Sequence, residues 1–242
     1  MGGIIKYDIW GTIILDCFSG IEESYEIVRR DGARDRRTAA IYFTDYNNFP
    51  DYEKKLLGSA SGRCLDVGCG AGRVALYLQG VGLDVDAFDN SPLSVAVAKS
   101  RGVKNAVVAT WQGYKTNYNY DTILLMGHNI GIAGKKHLVV NMLKHFYKLL
   151  NRKGKIIITS SNFTKSNDPR HIQWHKTCQQ QGRYPGETEL AFEYRNEKGV
   201  WFDWLLIDCS DLVGIAKEVN FIVQSIISTE SGCNYGVVFK KK

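Results

Sequence analysis

Short apolar runs and longer amphipathic segments alternate through the middle of the chain. The apolar runs predict five buried strands, at residues 64–67, 84–88, 106–109, 120–126 and 155–159. The clearest amphipathic segment covers residues 135–150, where large apolar side chains recur at i, i+4 and i+7 and predict a helix. Strands that alternate with helices form a mostly parallel, doubly wound sheet. The pattern therefore predicts an α/β fold.

The last third of the chain departs from this alternation. Apolar runs at residues 190–195 and 200–207, joined by a polar turn, predict a hairpin within an insertion at about residues 183–208. A further helix and an antiparallel strand pair, at residues 221–228 and 235–240, are predicted to follow. We therefore expect a seven-stranded sheet with a C-terminal antiparallel hairpin. The small β insertion after strand 5 would lie near the carboxyl edge of the sheet, where it can shape a substrate pocket.

The N-terminal residues 1–58 precede the predicted sheet. Apolar side chains within residues 22–30 indicate a helix, and we expect the whole segment to form a helical cap or lid on the main domain at residues 59–242. The apolar run at residues 9–15 is too short, and too charged at its borders, for a signal peptide or a membrane span. No membrane association is predicted.

A glycine-rich stretch follows the first predicted strand of the sheet. Gly68, Gly70 and Gly72 occupy alternate positions between that strand and a predicted helix. Glycine lets the backbone turn sharply and approach a ligand closely, and a helix N-terminus adds free N–H donors. A dinucleotide fingerprint needs G-x-G-x-x-G, but Arg73 occupies the position of the third glycine. The Gly-Lys-Ser/Thr ending of a phosphate-binding P-loop is also absent.

Two carboxylates border this loop. Asp66 immediately precedes it, where an acidic side chain would attract a cationic group and repel a phosphate. Asp89 stands at the carboxyl end of the next strand, where ligands of open α/β sheets bind, and a carboxylate can accept hydrogen bonds from both hydroxyls of a ribose. Ser91 and Pro92 then supply a good N-cap and first residue for a helix. Together these features favour a nucleoside with a positively charged group.

An acidic residue followed by G-x-G-x-G resembles motif I of the class I S-adenosylmethionine-dependent methyltransferases. The apolar helix, basic turn and aliphatic strand at residues 135–159, and the antiparallel ending, are also similar to that family. The resemblance implies S-adenosylmethionine as cofactor and S-adenosylhomocysteine as product, with the loop around the methionine end and Asp89 on the ribose. The residues expected to contact the cofactor here are Asp66, Gly68, Cys69, Gly70, Gly72, Asp89 and Asn90.

Four more side chains are candidates for cofactor contacts. Many family members have an acidic residue after the third strand, but this chain has Thr110, Trp111 and Gln112, so Trp111 either stacks on the adenine or belongs to the core. Asn129, after the fourth strand, offers both a donor and an acceptor. Tyr42 and Tyr46 are candidates for a lid because a sulfonium is attracted to aromatic faces, although most aromatic side chains in their segment are better explained as core.

A general base is needed only if the methyl acceptor must lose a proton. His128 is the first candidate because it follows the fourth strand and titrates near neutrality, although it also fits an ordinary loop histidine. His175 and Asp168 are weaker candidates. His171, His175 and Cys178 would share one helix face, but without a fourth ligand we expect no metal.

Composition narrows the class of substrate and the cellular location. The net charge of +6 is below that of a dedicated nucleic-acid binder, and no Asn-Pro-Pro-Tyr or Pro-Cys motif for a target base follows the strands. A small-molecule acceptor is therefore expected, with RNA and protein left open. Six cysteines without C-x-x-C spacing indicate reduced thiols and a cytoplasmic protein.

Two other functions use a similar strand, loop and helix. A nicotinamide-dependent oxidoreductase of Rossmann type is one, but Arg73 and the antiparallel ending argue against it. A non-catalytic protein that keeps the fold and binds the cofactor is the other.

Overall fold

The computed structural model describes residues 8–242 as two β-sheets and seven helices. The strands of the described residues are β1 (Ser24–Arg29), β2 (Arg34–Thr38), β3 (Arg63–Val67), β4 (Asp84–Asp89), β5 (Asn105–Val108), β6 (Tyr120–Leu125), β7 (Leu150–Ser161), β8 (Glu187–Tyr194), β9 (Glu197–Lys198), β10 (Phe202–Leu205), β11 (Phe221–Ser228) and β12 (Asn234–Lys241). The helices are α1 (Ile9–Phe18), α2 (Asp51–Leu57), α3 (Arg73–Gly80), α4 (Pro92–Ser100), α5 (Lys136–Leu149), α6 (Pro169–Gln180) and α7 (Cys209–Glu218).

The main sheet has seven strands in the order β11-β12-β7-β6-β3-β4-β5. The five strands from β7 to β5 are parallel, and β12 lies antiparallel between β7 and β11. The predicted doubly wound sheet with an antiparallel ending is therefore confirmed. The chain leaves β3 toward β4 and β5 on one side and returns to β6 on the other. Ligands of open α/β sheets bind where the strand order reverses in this way, at the carboxyl ends of the strands.

The second sheet joins the N-terminal segment to the predicted insertion. Its order is β10-β8-β1-β2, with β9 paired to β8, and all its strand pairs are antiparallel. The helix predicted over residues 22–30 is wrong, since this segment forms β1. Its apolar positions fit a helix or a strand, and the segment is a strand here because it pairs with β2 on one side and with the distant β8 on the other. Residues 8–58 thus contain both helices and strands, and residues 1–7 of the predicted cap lie outside the described residues. The boundary with residues 59–242 stays a prediction.

Helices cover both faces of the main sheet. Phe146 of α5 and Leu212 of α7 pack with strand residues such as Ile123 on one face. On the other face α2, α3 and α4 pack against the alternate strand positions. Burial of one such side chain contributes about 1.5–3 kcal/mol to stability, so these two layers hold the strand ends in fixed positions. Within residues 8–242, no helix combines the length and the apolar character that crossing a membrane requires.

Candidate active site at the strand ends

The glycine loop lies between β3 and α3 and has no room for side chains at two of its glycines. Gly68, Gly70 and Gly72 have φ values of +70°, +53° and +83°, a region that side-chain-bearing residues rarely adopt. A Cβ on Gly68 would lie 2.6 Å from Nδ2 of Asn129, and one on Gly72 would lie 2.6 Å from Cγ2 of Val103. Gly72 also forms the N-cap of α3. The alternate glycines therefore serve both the turn and the close packing around it.

Asp89 ties the end of β4 to this loop. Its Oδ2 accepts a hydrogen bond from the amide of Gly70 at 2.8 Å, and its Oδ1 accepts one from the amide of Ser91 at 2.9 Å. Burial raises the pKa of Asp89, and the two amides act in the opposite direction. Each carboxylate oxygen can accept a second hydrogen bond, so the paired carboxylate fits a role as acceptor for two hydroxyls. Asn90, the next residue, is exposed.

Asp66 is a buried acidic residue without a full set of hydrogen-bond partners among the described residues. Its side chain is 2% exposed, and Oδ2 has no hydrogen-bond partner among the described residues. Burial raises its pKa to about 7; the amide of Ala75 and the charge of Arg73 oppose the rise, whereas the charge of Asp89 adds to it. An unsatisfied buried carboxylate is costly. A cationic ligand beside the glycine loop would pair with this carboxylate and offset the cost. The position of Asp66 therefore fits the positively charged end of S-adenosylmethionine.

Arg73, the first residue of α3, anchors the loop from the helix side. Its Nη2 lies 2.7 Å from Oε2 of Glu53, which is 3% exposed, and its guanidinium lies 4.3 Å from the ring centre of Phe49. This buried ion pair joins α2 to α3. The arginine that breaks the dinucleotide fingerprint is thus a packing element of the loop.

Asn129 holds the loop from the side of β6. Its Nδ2 donates to the carbonyl of Val67 at 2.8 Å and to that of Gly68 at 2.7 Å. Its amide therefore contacts the loop backbone itself. Cys69, within the loop, is buried, and burial raises the pKa of its thiol well above the usual value. That thiol stays protonated near neutral pH.

His128 lies between β6 and Asn129 in a left-handed backbone conformation, with φ +66°. Its amide donates to Oγ1 of Thr159 at 2.9 Å, and its Nδ1 lies 3.1 Å from Oγ of Ser161. Ser161 in turn donates to Oδ1 of Asn234 at 2.7 Å. Burial lowers the pKa of His128 to about 4. The imidazole is therefore neutral at physiological pH, which a general base requires.

The residues that support His128 were missed in the sequence. Thr159 and Ser161 are alternate residues of β7, so both face the same side of the sheet. The signal was present as two polar side chains at alternate positions where an otherwise aliphatic strand ends. Asn234 gave no local signal, because it meets Ser161 only through the register of β12 on β7.

The two weaker candidates for the base both belong to α6. Asp168 caps that helix and pairs with Arg170, whose hydrogen bonds hold the pKa of the carboxyl well below its usual range. His175 packs against the ring of Phe163, with centroids 5.2 Å apart, and burial lowers its pKa.

The same helix carries the residues considered as metal ligands. Nδ1 of His171 is bonded to Oγ of Ser166 at 2.8 Å, and Cys178 is fully buried. In the part of the chain that the structure describes, no group of three His, Cys, Asp or Glu side chains could hold a metal ion. The expectation of no metal stays a prediction.

The aromatic candidates for cofactor contacts all pack against other rings. Tyr46 stacks on Tyr77 of α3 with centroids 4.0 Å apart, and Tyr42 meets Trp10 edge-on at 4.8 Å. Trp111 is 8% exposed, belongs to the core beneath α5, and has an Nε1 without a partner among the described residues. Roles for these three side chains in binding adenine or the sulfonium stay predictions.

Helix α1 covers the loop from the N-terminal side. Asp8, its N-cap, accepts from the amide of Gly11 at 2.8 Å through Oδ1 and from Oγ of Ser91 at 2.6 Å through Oδ2. Ile13 of α1 shares a core cluster with Ala71 of the loop. The N-terminal helix is thus joined to the helix that follows Asp89.

A series of partly buried rings, which we term the aromatic wall, connects α1 to the loop after β6. Trp10 stacks on Phe192 at 5.0 Å, Phe192 lies 5.2 Å from Phe202, and Phe202 lies 6.3 Å from Trp204. Trp204 packs directly against Gly131, two residues after Asn129. The second sheet therefore presents rings beside the carboxyl edge of the main sheet.

Comparisons with known proteins agree with this arrangement. Residues 46–165 match the family model described as tellurite resistance protein TehB. A crystal structure of an S-adenosylmethionine-dependent methyltransferase from Bacteroides fragilis, in complex with S-adenosylhomocysteine, is 27% identical in sequence. The two structures superpose with a TM-score of 0.79, and the match covers 98% of this chain and 96% of that one. The chain belongs to the class I S-adenosylmethionine-dependent methyltransferases. Its cofactor is S-adenosylmethionine, which decides against the nicotinamide alternative.

Other methyltransferases match a smaller share of this chain. The CcbJ methyltransferase from Streptomyces caelestis is 11% identical and superposes with a TM-score of 0.62 over 81% of this chain and 94% of that one, which supports the fold. Ubiquinone biosynthesis O-methyltransferases from Rickettsia conorii and Rickettsia canadensis are 29% and 33% identical over 147 and 86 residues. These matches cover 59% and 34% of this chain, and 47% and 36% of the relatives. The chain thus spans about half or less of the curated relatives' length.

Proposed function

We propose that this class I methyltransferase transfers the methyl group of S-adenosylmethionine to a nucleophilic atom of a small-molecule acceptor. The observation that carries the proposal is the arrangement of two buried aspartates, Asp66 and Asp89, on either side of a glycine loop that has no room for a side chain at Gly68 or Gly72. Oδ2 of Asp66 has no hydrogen-bond partner among the described residues, so a cation could bind it. Asp89 accepts hydrogen bonds from two backbone amides.

The two aspartates would bind opposite ends of the cofactor. Asp66, with Gly68, Gly70 and Gly72, would hold the methionine end, and Asp89 would accept from the ribose hydroxyls. When bound, S-adenosylmethionine supplies a methyl group that is already activated on a cationic sulfur. The chain then has mainly to align the acceptor with that group, and alignment of two reactants contributes about 7–11 kcal/mol to lowering a barrier.

His128 would act as a general base where the acceptor must lose a proton. Because burial lowers its pKa, the imidazole is neutral before the reaction and can accept a proton. The backbone of the same turn continues into Asn129, which binds the glycine loop. The proposed base and the proposed cofactor loop are therefore fixed to one another by a side-chain hydrogen bond.

The acceptor would be a small molecule that carries an apolar ring. The Rickettsia relatives are named as O-methyltransferases of ubiquinone biosynthesis. The aromatic wall supports a ring-bearing acceptor independently, because aromatic pairs prefer offset or edge-on contacts that a planar substrate can join.

All six cysteines are free, which supports a reducing compartment such as the cytoplasm.

Thermal unfolding with added nucleosides tests the cofactor part of this proposal. S-adenosylhomocysteine and S-adenosylmethionine should each raise the melting temperature, and NAD should not. A ligand present at ~100 times its dissociation constant stabilises the folded state by about 2.7 kcal/mol, which is readily measured. Stabilisation by NAD alone would contradict the proposal.

Transfer itself is tested with methyl-labelled S-adenosylmethionine and a panel of phenols and catechols. Label should move to at least one ring hydroxyl in the wild type, and more slowly with Asp89→Ala at a cofactor concentration below saturation. Label that appears only on RNA or protein substrates included in the same panel would replace the small-molecule acceptor.

A further inference from the structure

We propose that Ser161 and Asn234 hold His128 in the tautomer that carries its proton on Nδ1, which leaves Nε2 as the basic atom. This inference rests on the proposed function, in which His128 acts as the base. Neither Ser161 nor Asn234 would touch the acceptor, so both are positioning residues.

Three neighbouring strand ends bring the residues together. His128 follows β6, Ser161 ends β7, and Asn234 begins β12, which is the next strand of the sheet. Asn234 and Ser161 are direct register partners. The line of polar atoms therefore runs across the sheet, perpendicular to the strands, from Asn234 to the imidazole.

The hydroxyl of Ser161 has a single proton, so it can donate only one hydrogen bond. Ser161 donates that proton to Oδ1 of Asn234, a carbonyl oxygen that can only accept. The contact of 3.1 Å between Oγ of Ser161 and Nδ1 of His128 can then be a hydrogen bond only if Nδ1 carries a proton and donates it. A neutral imidazole has one N–H, so Nε2 keeps its lone pair.

The backbone of His128 is also fixed beside β7. His128 has a left-handed backbone conformation, and its amide donates a hydrogen bond to Oγ1 of Thr159, whose side chain lies on the same face of β7 as Ser161. Positive φ in a residue other than glycine costs free energy and persists where the surroundings impose it. Backbone and side chain of His128 are thus both held by the end of β7.

Histidine nitrogen NMR of the 242-residue chain tests the tautomer directly. Uniformly ¹⁵N-labelled protein near neutral pH should show the His128 ring with a protonated Nδ1 and an unprotonated Nε2, the signal being assigned by its loss in His128→Gln. A protonated Nε2 in the wild type would overturn the inference, because it would mean that the Asn234 amide has the opposite orientation and Ser161 donates to the ring.

Variants separate this role from simple packing. Ser161→Ala should divide the His128 signal between the two tautomers, whereas Ser161→Thr, which keeps the hydroxyl, should retain the Nδ1 proton. Asn234→Asp should also retain it, because a carboxylate only accepts, and Asn234→Leu should not. If the Ser161→Ala spectrum keeps the wild-type tautomer, the inference is wrong.

The proposed function has its own readout in the same samples. S-adenosylhomocysteine should raise the melting temperature of Ser161→Ala as it does that of the wild type, since Ser161 is not part of the proposed cofactor loop. Loss of that shift in every sample, wild type included, would count against the proposed function. The tautomer of His128 would still be decided by the NMR signal.

Discussion

The amide of Gly70 donates to Oδ2 of Asp89 at 2.8 Å, so the glycine loop is fastened to the strand end beside it. The same carboxylate accepts from the amide of Ser91 in the turn before α4. A side chain proposed to bind the ribose therefore also fixes the loop proposed to bind the methionine end. Binding and loop geometry depend on one carboxylate.

Replacing Asp89 should thus affect both affinity and stability. We expect Asp89→Ala to weaken binding of S-adenosylhomocysteine roughly tenfold or more, because hydrogen bonds to a charged group contribute about 1.5–3 kcal/mol. It should also lower the free energy of unfolding by about 1–3 kcal/mol for each amide left without an acceptor. Calorimetric titration and urea unfolding measure the two effects. Asp84→Ala, at the exposed start of the same strand, is the control, and unchanged affinity in Asp89→Ala would remove Asp89 from the site.

A methyl group on Gly68 should disturb the loop from within. Gly68→Ala places a Cβ 2.6 Å from Nδ2 of Asn129 and forces alanine to adopt a positive φ, which costs about 1–2 kcal/mol before any clash. We expect a clear loss of stability and of cofactor affinity. Gly80→Ala is the matched control, because a Cβ there meets no atom within 4 Å. In a double-mutant cycle, Asn129→Ala should relieve the clash but not the backbone strain, and strict additivity of the two changes would contradict the packing described.

Cofactor binding should release a proton from Asp66. Burial raises the pKa of this carboxyl to about 7, so a fraction is protonated near neutral pH, and a bound cation favours the charged form. Affinity for S-adenosylmethionine should therefore rise as the pH increases through that range. Calorimetric titrations in two buffers with different ionisation enthalpies measure the release. Asp66→Asn should abolish it, whereas an equal release from Asp66→Asn would assign the proton to another group.

The same carboxyl should affect the stability of the protein without ligand. The folded pKa of Asp66 lies above its unfolded value, so the folded state binds more protons between the two. Its contribution to stability is full below the unfolded pKa and is lost as the pH rises through about 7. We expect Asp66→Asn to be more stable than the wild type above that pH, and to lose this part of the pH dependence. A variant less stable than the wild type at high pH would show that the charged carboxylate is satisfied.

Glu53 should be far more important to stability than an exposed acidic residue. Glu53→Ala leaves the guanidinium of Arg73 buried without its partner, and breaking a buried pair on one side costs about 3–5 kcal/mol. Glu23→Ala removes half of a solvent-exposed pair with Arg195 and should cost no more than about 1 kcal/mol. Urea unfolding compares the two, and equal losses would mean that the Glu53–Arg73 pair is not effectively buried.

The main sheet and the glycine loop could be predicted because their signals are local. The spacing of Gly68, Gly70 and Gly72 and the Ser91-Pro92 start of α4 each depend on a few consecutive residues. Ser91 does cap α4, accepting from the amide of Ser94. The strands of the parallel sheet are short and apolar because both their faces are covered, so apolar runs located them.

The parts that could not be predicted depend on contacts between distant segments. The strand β1 lies between β2 and the distant β8, and nothing within residues 22–30 identifies β8 as a partner. The line from His128 through Ser161 to Asn234 requires the register of three strands. Glu53 meets Arg73 only because α2 packs beside α3. In each case the residues can be found in the sequence, but the contact between them depends on how distant segments pack in the fold.

The central claim is that Asp66 and Asp89 hold opposite ends of one nucleoside across the glycine loop. A crystal structure of the protein with S-adenosylhomocysteine tests it most directly. We predict ribose oxygens at about 3 Å from the carboxylate of Asp89, with the amino-acid end of the ligand on the Asp66 side of Gly68 and Gly70. A nucleoside bound with its sugar away from Asp89, or at another face of the sheet, would contradict the claim.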